Sequence, residues 1–495
     1  MRAMPFESGV PHKRCLLCLV AVLWCVLTPS LVDAADRIIL LGPADDLALD
    51  QPRITFGLVE PGTANLVGPQ LYNSGLLDTG ANGVLLAELS YAWEEDYGHA
   101  IRGDSSWVEY VEQGVAGPEL LDVLPVYDLV FEGSDTEIEF TVPNVTAMGS
   151  PTLDIGSFAA IVGMPAMVDR VTILDLQPML SFELIGVEFA GAAPPTTGHS
   201  YHMNFSMLAA EYTGQLEPGD PLPTFNDLPM IDAITVRRGA LASSGPMVLD
   251  TGSQMTIITS AAAIALDIDY LHTIAEGGDV VDTVDVGGVG GAAQMPLVYV
   301  DRLTVPTAEG VDLALTDVAV GVLDIPGISG VFGMNLLTSG YFGPLLGLGG
   351  DPYVDAVVLD FLDPAASTMR LDLNALLDEI VWLGDYSGDD AANLLDINPF
   401  VLALTDPTTY GAIYPDVNLA AVDPSGNGVL NLLDINPFVA LVVASGGGGS
   451  GGTSGGASGG VPEPTAALII FAALAAAIGG RRCRSRLLQP FRSPL

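Results

Sequence analysis

Apolar positions come in short runs along most of the chain. From about Asp36 to Phe189 the runs are alternating or β-branched: Ile54–Val59, Val84–Leu89, Trp107–Val111, Leu124–Phe131, Ile138–Val142 and Val171–Leu176, with turn residues between them. A second region of the same kind extends from Ile231 to Leu373. Period-two alternation over a few residues suits strands with one face on a core, so both regions predict β-sheet. Between them, residues 191–230 carry Pro194, Pro195, Pro218, Pro221 and Pro223 and read as a connector with room for a strand.

The pattern changes after about residue 380. The word NLLDINPFV occurs at 393–401 and again at 431–439, an offset of 38. Each copy opens an apolar run, INPFVLAL or INPFVALV, that predicts a helix with Pro399 or Pro437 in its first turn, where proline is tolerated. Residues 443–460 are mostly Gly and Ser and predict a flexible linker.

The ends read as export signals. Arg2, Lys13 and Arg14 flank the 13-residue apolar run Cys15–Leu27, and small residues near Val32-Asp33-Ala34 follow, which predicts a signal peptide over 1–34. Near the other end, Val461-Pro462-Glu463-Pro464 leads into the 16 apolar or small residues Thr465–Gly480 and then Arg481-Arg482, which predicts a membrane-embedded stretch with its arginines inside.

Composition narrows the options. Of 495 residues, 49% are hydrophobic and 15% charged, which supports large cores. Sixteen basic residues face 60 acidic ones, a net charge of −44. Nucleic acid is excluded as an expected partner, because phosphate binding needs a basic footprint. The four cysteines, Cys15, Cys18, Cys25 and Cys483, all lie in the terminal segments, so the body has neither a disulfide nor a cysteine nucleophile.

Two triplets carry the candidate chemistry. Asp78-Thr79-Gly80 and Asp250-Thr251-Gly252 each sit between apolar runs. Gly163 of Ile161-Val162-Gly163 follows Asp78 by 85 positions, and Gly333 of Val331-Phe332-Gly333 follows Asp250 by 83. A glycine-centred hairpin lies between in each half: Gly114–Gly117 starts 36 after Asp78, and Gly287–Gly291 starts 37 after Asp250. Three features in one order at matched spacing predict an internal duplication. Two copies of such a loop would bring two carboxylates together, where they share a proton.

DTGA at 78–81, DTGS at 250–253, IVGMP at 161–165 and VFGMN at 331–335 resemble the aspartic peptidases, and the Gly-rich hairpins are closer to retropepsin-like units than to pepsin lobes. The resemblance implies a mainly β protein with two tandem acid-protease-like β-barrel lobes, over 35–190 and 231–375. It implies a dyad of Asp78 and Asp250, supported by Thr79, Gly80, Thr251, Gly252, Ser253, Gly163 and Gly333. Flap tips would lie at Gly114, Gly117, Gly287, Gly288 and Gly290. The activity implied is endopeptidase cleavage of a peptide or protein substrate by a monomer, with no cofactor for catalysis. In that family a Ser after the triplet can donate to the neighbouring carboxylate. Position 81 is Ala where 253 is Ser, so Asp78 is expected to hold the shared proton, with activity in mild acid. The alternative is an inactive peptidase-like protein that serves surface binding or assembly.

Residues 380–442 resemble a type I dockerin. Asp385, Ser387, Asp389, Asn393 and Asp396 occupy positions 1, 3, 5, 9 and 12 of a calcium loop, and Asp423, Ser425, Asn427, Asn431 and Asp434 repeat them. The resemblance implies Ca2+ at both loops and a cohesin-like partner. Asp390 takes position 6 of the first loop where the second has Gly428, so weaker binding is expected at the first. Residues 461–495 resemble a PEP-CTERM sorting signal, which implies export to a bacterial surface with transient membrane anchoring.

Overall fold

The computed structural model describes residues 37–446, apart from 68–72, 88–107, 115–116, 133–137, 151–152, 154, 210–225, 349, 376–379, 390–391, 416, 420–421 and 428. The segments expected to be a signal peptide, 1–34, and a sorting signal, 461–495, fall outside the described residues, as do most of the Gly/Ser stretch, Asp390 and Gly428. No helix among the described residues is long and apolar enough to cross a membrane.

The protein is mainly β, with its longer helices gathered near the C-terminus. Among the described residues, eight strands between Arg53 and Val162 form one sheet, and fourteen form a larger one. The predicted duplication is visible in the pairing. Strand Ser74–Leu77 runs into Asp78 and pairs parallel with Ala160–Val162, Leu77 opposite Val162. Ala160–Val162 pairs antiparallel with Val84–Leu86, which pairs parallel with Ile138–Gly149. In the larger sheet Leu241–Asp250 pairs parallel with Gly330–Gly333, Asp250 opposite Gly333. Gly330–Gly333 then pairs antiparallel with Ile257–Ile258, which pairs parallel with Asp312–Val322. In both copies a long hairpin closes the series, Val108–Gly114 with Gly117–Glu132 and Asp282–Gly288 with Gly291–Val305.

Sheet membership departs from the sequence boundaries. Arg37–Pro43 pairs with Asp312–Val322, and Val171–Asp175 pairs with Val354–Asp360. Both segments read as part of the first half, yet both join the larger sheet. Within the expected connector, Ser200–Leu208 is a strand that bridges Thr368–Leu373 and Leu228–Arg238. An antiparallel layer built from Val171–Asp175, Gly186–Ala190, Ser200–Leu208, Val354–Asp360 and Thr368–Leu373 is thereby continuous with the strand leading toward Asp250. One apolar core, from Ile39, Phe56 and Leu77 to Leu249, Phe332 and Leu371, runs through both sheets.

The glycines that follow each triplet at long range are required by close approach. Gly163 donates to Gly83 O at 3.0 Å, and Met164 donates to Ala81 O at 2.9 Å. A Cβ on Gly163 would lie 2.3 Å from Ala81 O, and one on Gly333 would lie 2.4 Å from Met255 O. Such a clash with backbone cannot be relieved by a rotamer change. Gly163→Ala is therefore expected to cost about 1–3 kcal/mol by overpacking, read from the midpoint of urea unfolding. Gly245→Ala, at a glycine with open space around it, is the control and should leave the midpoint unchanged.

Candidate active site

The two triplets meet. Thr79 Oγ1 donates to Leu249 O at 2.7 Å and Thr251 Oγ1 donates to Leu77 O at 2.7 Å. In return, Thr79 N donates to Thr251 Oγ1 at 3.0 Å and Thr251 N to Thr79 Oγ1 at 3.1 Å. Both threonines are buried. The hydroxyls thus bridge two loops 172 residues apart in sequence. The glycines complete the contact. A Cβ on Gly80 would lie 2.5 Å from Asp250 Cγ, and one on Gly252 would lie 2.4 Å from Asp78 Cγ. Only a residue without a side chain lets each backbone approach the opposite carboxyl.

The carboxyls of Asp78 and Asp250 hydrogen-bond to one another. Burial raises Asp78, and the opposing effects are the hydrogen bond from Asp250 and the N–H groups of Gly80, Gly252 and Ala81. Gly80 N donates to Asp78 Oδ1 at 2.7 Å. Burial raises Asp250 further, well above the ordinary range, and the neighbouring charge of Asp78 adds to it. Asp250 Oδ1 is buried without a hydrogen-bond partner. Burial raises both carboxyls, and the two titrate as a pair that shares one proton.

The expectation from Ala81 rested on the hydroxyl of Ser253, which the structure directs elsewhere. Ser253 Oγ donates to Met255 O at 2.8 Å, so its hydroxyl is engaged by a backbone carbonyl. Position 81 acts on its carboxyl through a main-chain N–H, which alanine supplies as well as serine would. The identity of that side chain is therefore not what separates the two acids.

Other residues escaped the motif reading. Gln51 Nε2 donates to Gly252 O, tying the segment before the first triplet to the second. Asn335, two positions after Gly333, accepts from Thr256 N at 2.8 Å and Thr256 Oγ1 at 2.7 Å, and Thr256 Oγ1 accepts from Gly333 N at 3.2 Å. Asn335 closes the VFGMN word at 331–335, but the word does not say that its amide reaches Thr256.

The two hairpin tips touch. Gly114 pairs with Gly117, and Gly288 with Gly291. Gly290, at φ +87°, lies so close that a Cβ there would be 2.2 Å from Gly117 O. Val289 packs against an apolar cluster of the other half, with Leu85, Leu121, Met148, Ile161 and Ala81. The glycines at 114, 117, 287, 288 and 290 thus belong to two hairpins that meet, one of which reaches across to residues beside the Asp78 loop.

The acidic loops form a separate site. Carboxylate oxygens of Asp385, Asp389 and Asp396 lie within 4.8 Å of one another. Ser387 N donates to Asp396 Oδ1 at 2.8 Å and Asn393 N to Asp396 Oδ2 at 2.7 Å, which folds the loop around them. In the second loop Ser425 N donates to Asp423 Oδ1 at 3.0 Å and Asn431 N to Asp434 Oδ2 at 2.6 Å. Asp434 is fully buried and its Oδ1 has no hydrogen bond. Burial, reinforced by Asp423, pushes it up to about 6. An orphaned carboxylate oxygen among oxygen donors is a donor set that fits a hard cation.

No family model matches the chain, and no curated protein matches it. Among solved structures it is similar to basic 7S globulin from soybean, at 11% identity over 66% of this chain and 95% of that chain, with a TM-score of 0.31. That likeness is too distant to bear on function.

The raised dyad carries a stability consequence with a definite sign. A carboxyl whose folded pKa is raised contributes stability fully below its unfolded value, near 3.8, and that contribution is lost as pH rises through the folded value. At neutral pH the dyad therefore holds charge at a loss. Asp250→Asn should raise the thermal midpoint at pH 7 relative to wild type, and the difference should vanish near pH 3.

Proposed function

We propose that this chain is an exported aspartic endopeptidase of two acid-protease-like lobes, joined to a calcium-binding dockerin-like module. The observation that carries the reading is mutual: Gly80 lies against the carboxyl of Asp250 and Gly252 against that of Asp78, with the two carboxyls hydrogen-bonded. Taking Asp78 as the ionised member of the pair, it accepts a proton from a water molecule, whose oxygen attacks the scissile carbonyl carbon. Asp250 gives its proton to the carbonyl oxygen. The tetrahedral diol collapses as the amine nitrogen takes up the proton held by Asp78, and the C–N bond breaks. Asp250 recovers its proton from the diol. The threonine bridges fix the spacing of the carboxyls, and the two hairpins lift to admit an extended chain.

The dyad needs one proton. Burial raises both carboxyls, so the one-proton state extends to higher pH than ordinary carboxylates allow. Cleavage of an unfolded protein is expected to be fastest in mild acid rather than near pH 2, and to fall by about 10²–10⁴-fold or more in Asp78→Asn and in Asp250→Asn separately. If both variants cleave as wild type does, the peptidase reading fails. If the wild type cuts nothing while the fold is intact, the reading of a peptidase-like binding protein takes its place.

Calcium at Asp385, Ser387, Asp389, Asn393 and Asp396, and at Asp423, Ser425, Asn427, Asn431 and Asp434, would offset the repulsion among buried acids. A cohesin-like partner for the module and a surface location follow from the same reading. Calorimetric titration of the full chain should give two calcium ions per chain, and Asp396→Asn should reduce this to one.

A further inference from the structure

The two acidic loops repeat in sequence but not in surroundings. Gly388 and Asp389 of the first loop are exposed, whereas Asp423, Pro424, Ser425 and Gly426 of the second are buried. The cover over the second loop comes from the larger sheet. Arg302, on strand Gly291–Val305, is 3% exposed, and its Nη1 donates to Asp423 O at 3.3 Å. Gly426 has φ +76°, and a Cβ there would lie 3.1 Å from Arg302 Nε and 3.2 Å from Arg302 Cβ and Cδ. Arg237, on the neighbouring strand Leu228–Arg238, is paired in register with Arg302 and feels the charge of Asp423.

The seam continues on either side of this arginine. Strand Ile380–Trp382, just before the first loop, pairs antiparallel with Arg37–Pro43 at the edge of the same sheet. Arg37 stacks over Trp382, its guanidinium carbon 5.4 Å from the ring centroid. Leu441, on the helix that follows the second loop, packs with Ile38, Ala314 and Leu383. Gly384 donates to Val422 O at 3.0 Å, tying the start of the first loop to the residue before the second.

We propose that the second loop is an internal joint: seated on Arg302, it fastens the helical module to the larger sheet, and a divalent cation held by it braces the strands that carry Arg302 and Arg237. The first loop binds its cation away from the sheet. The inference rests on the reading of these loops as cation sites but goes beyond it, because nothing in a pair of calcium loops requires one of them to be built into a neighbouring sheet. The physical reason is the position of Asp423. Its carboxylate faces Asp434 inside the loop, while its carbonyl faces Arg302 outside. A cation that draws Asp423 and Asp434 together holds that carbonyl, and the Gly426 backbone beside it, against the arginine. Without the cation the two buried acids repel, and the same residues pull away from the sheet.

Hydrogen–deuterium exchange on the full chain, with calcium or with a chelator, tests this. Calcium binding is measured in parallel by calorimetry. Chelation should speed exchange by about fivefold or more, the scale of a coupling between sites, in segments 297–305 and 233–238, and leave 53–59 and 138–149 unchanged. Asp434→Asn should reproduce the effect in the presence of calcium, and Asp396→Asn should not. Arg302→Met, which keeps the length and apolar stem, should still bind two calcium ions while exchange at 297–305 no longer responds to chelation. Calcium binding at both loops with no response at 297–305 in wild type would overturn the joint and leave the cation sites standing. Absence of any calcium binding would overturn the cation sites, and the joint with them.

Discussion

The fold turns on the exchange of hydrogen bonds between Thr79 and Thr251. Each hydroxyl donates to the carbonyl of the residue that precedes the opposite triplet and accepts the N–H of the opposite threonine. A single bond of this kind contributes about 1 kcal/mol net, but a buried group left without its partner costs about 1–3 kcal/mol. Water cannot reach these positions, so no other partner is available. The two loops are held in one arrangement because any other leaves buried polar groups unmatched. The carboxyls follow from this, since each triplet's glycine then lies against the other's carboxyl.

Duplication supplies matching parts without making them equivalent. Strand order around the two loops is the same, and so is the close glycine that underlies each. Yet Gln51 ties only the second loop to the segment before the first, Asn335 braces only the second, and Val289 crosses from the second hairpin to the first half. Asp250 sits among these additions with one buried oxygen unpartnered. The two acids thus sit in unequal surroundings while titrating as one pair.

The duplication was legible because close-packed glycines and the Asp-Thr-Gly turn recur at matched distances in both halves. The main β class was legible from alternation. Membership of Arg37–Pro43 and Val171–Asp175 in the larger sheet was not, because a strand's own pattern says which face is buried and nothing about which distant strand it pairs with. The role assigned to Ser253 misled for a related reason. Its hydroxyl could serve Asp250 or a nearby carbonyl, and local geometry sends it to Met255 O. The short helix Pro407–Ile413 between the two repeats also went unread, since its one strong signal is Asp406 capping Thr409 N at 3.2 Å ahead of a proline.

The charge imbalance gives these details a common frame. A chain with net charge −44 and a single lysine has few cations to place, and those described in the structure stand at junctions. Arg53 pairs with Asp50 and lies over Phe158, Arg170 donates to Ala166 O at 2.6 Å beneath Phe140, Arg238 pairs with Asp279, and Arg370 with Asp372. Arg37 and Arg302 close the seam to the helical module. Exposed pairs on a strongly acidic surface are screened and add little. Buried guanidinium groups keep their stems packed and their forks on fixed carbonyls and carboxylates. Among the described residues, these arginines hold the chain to itself.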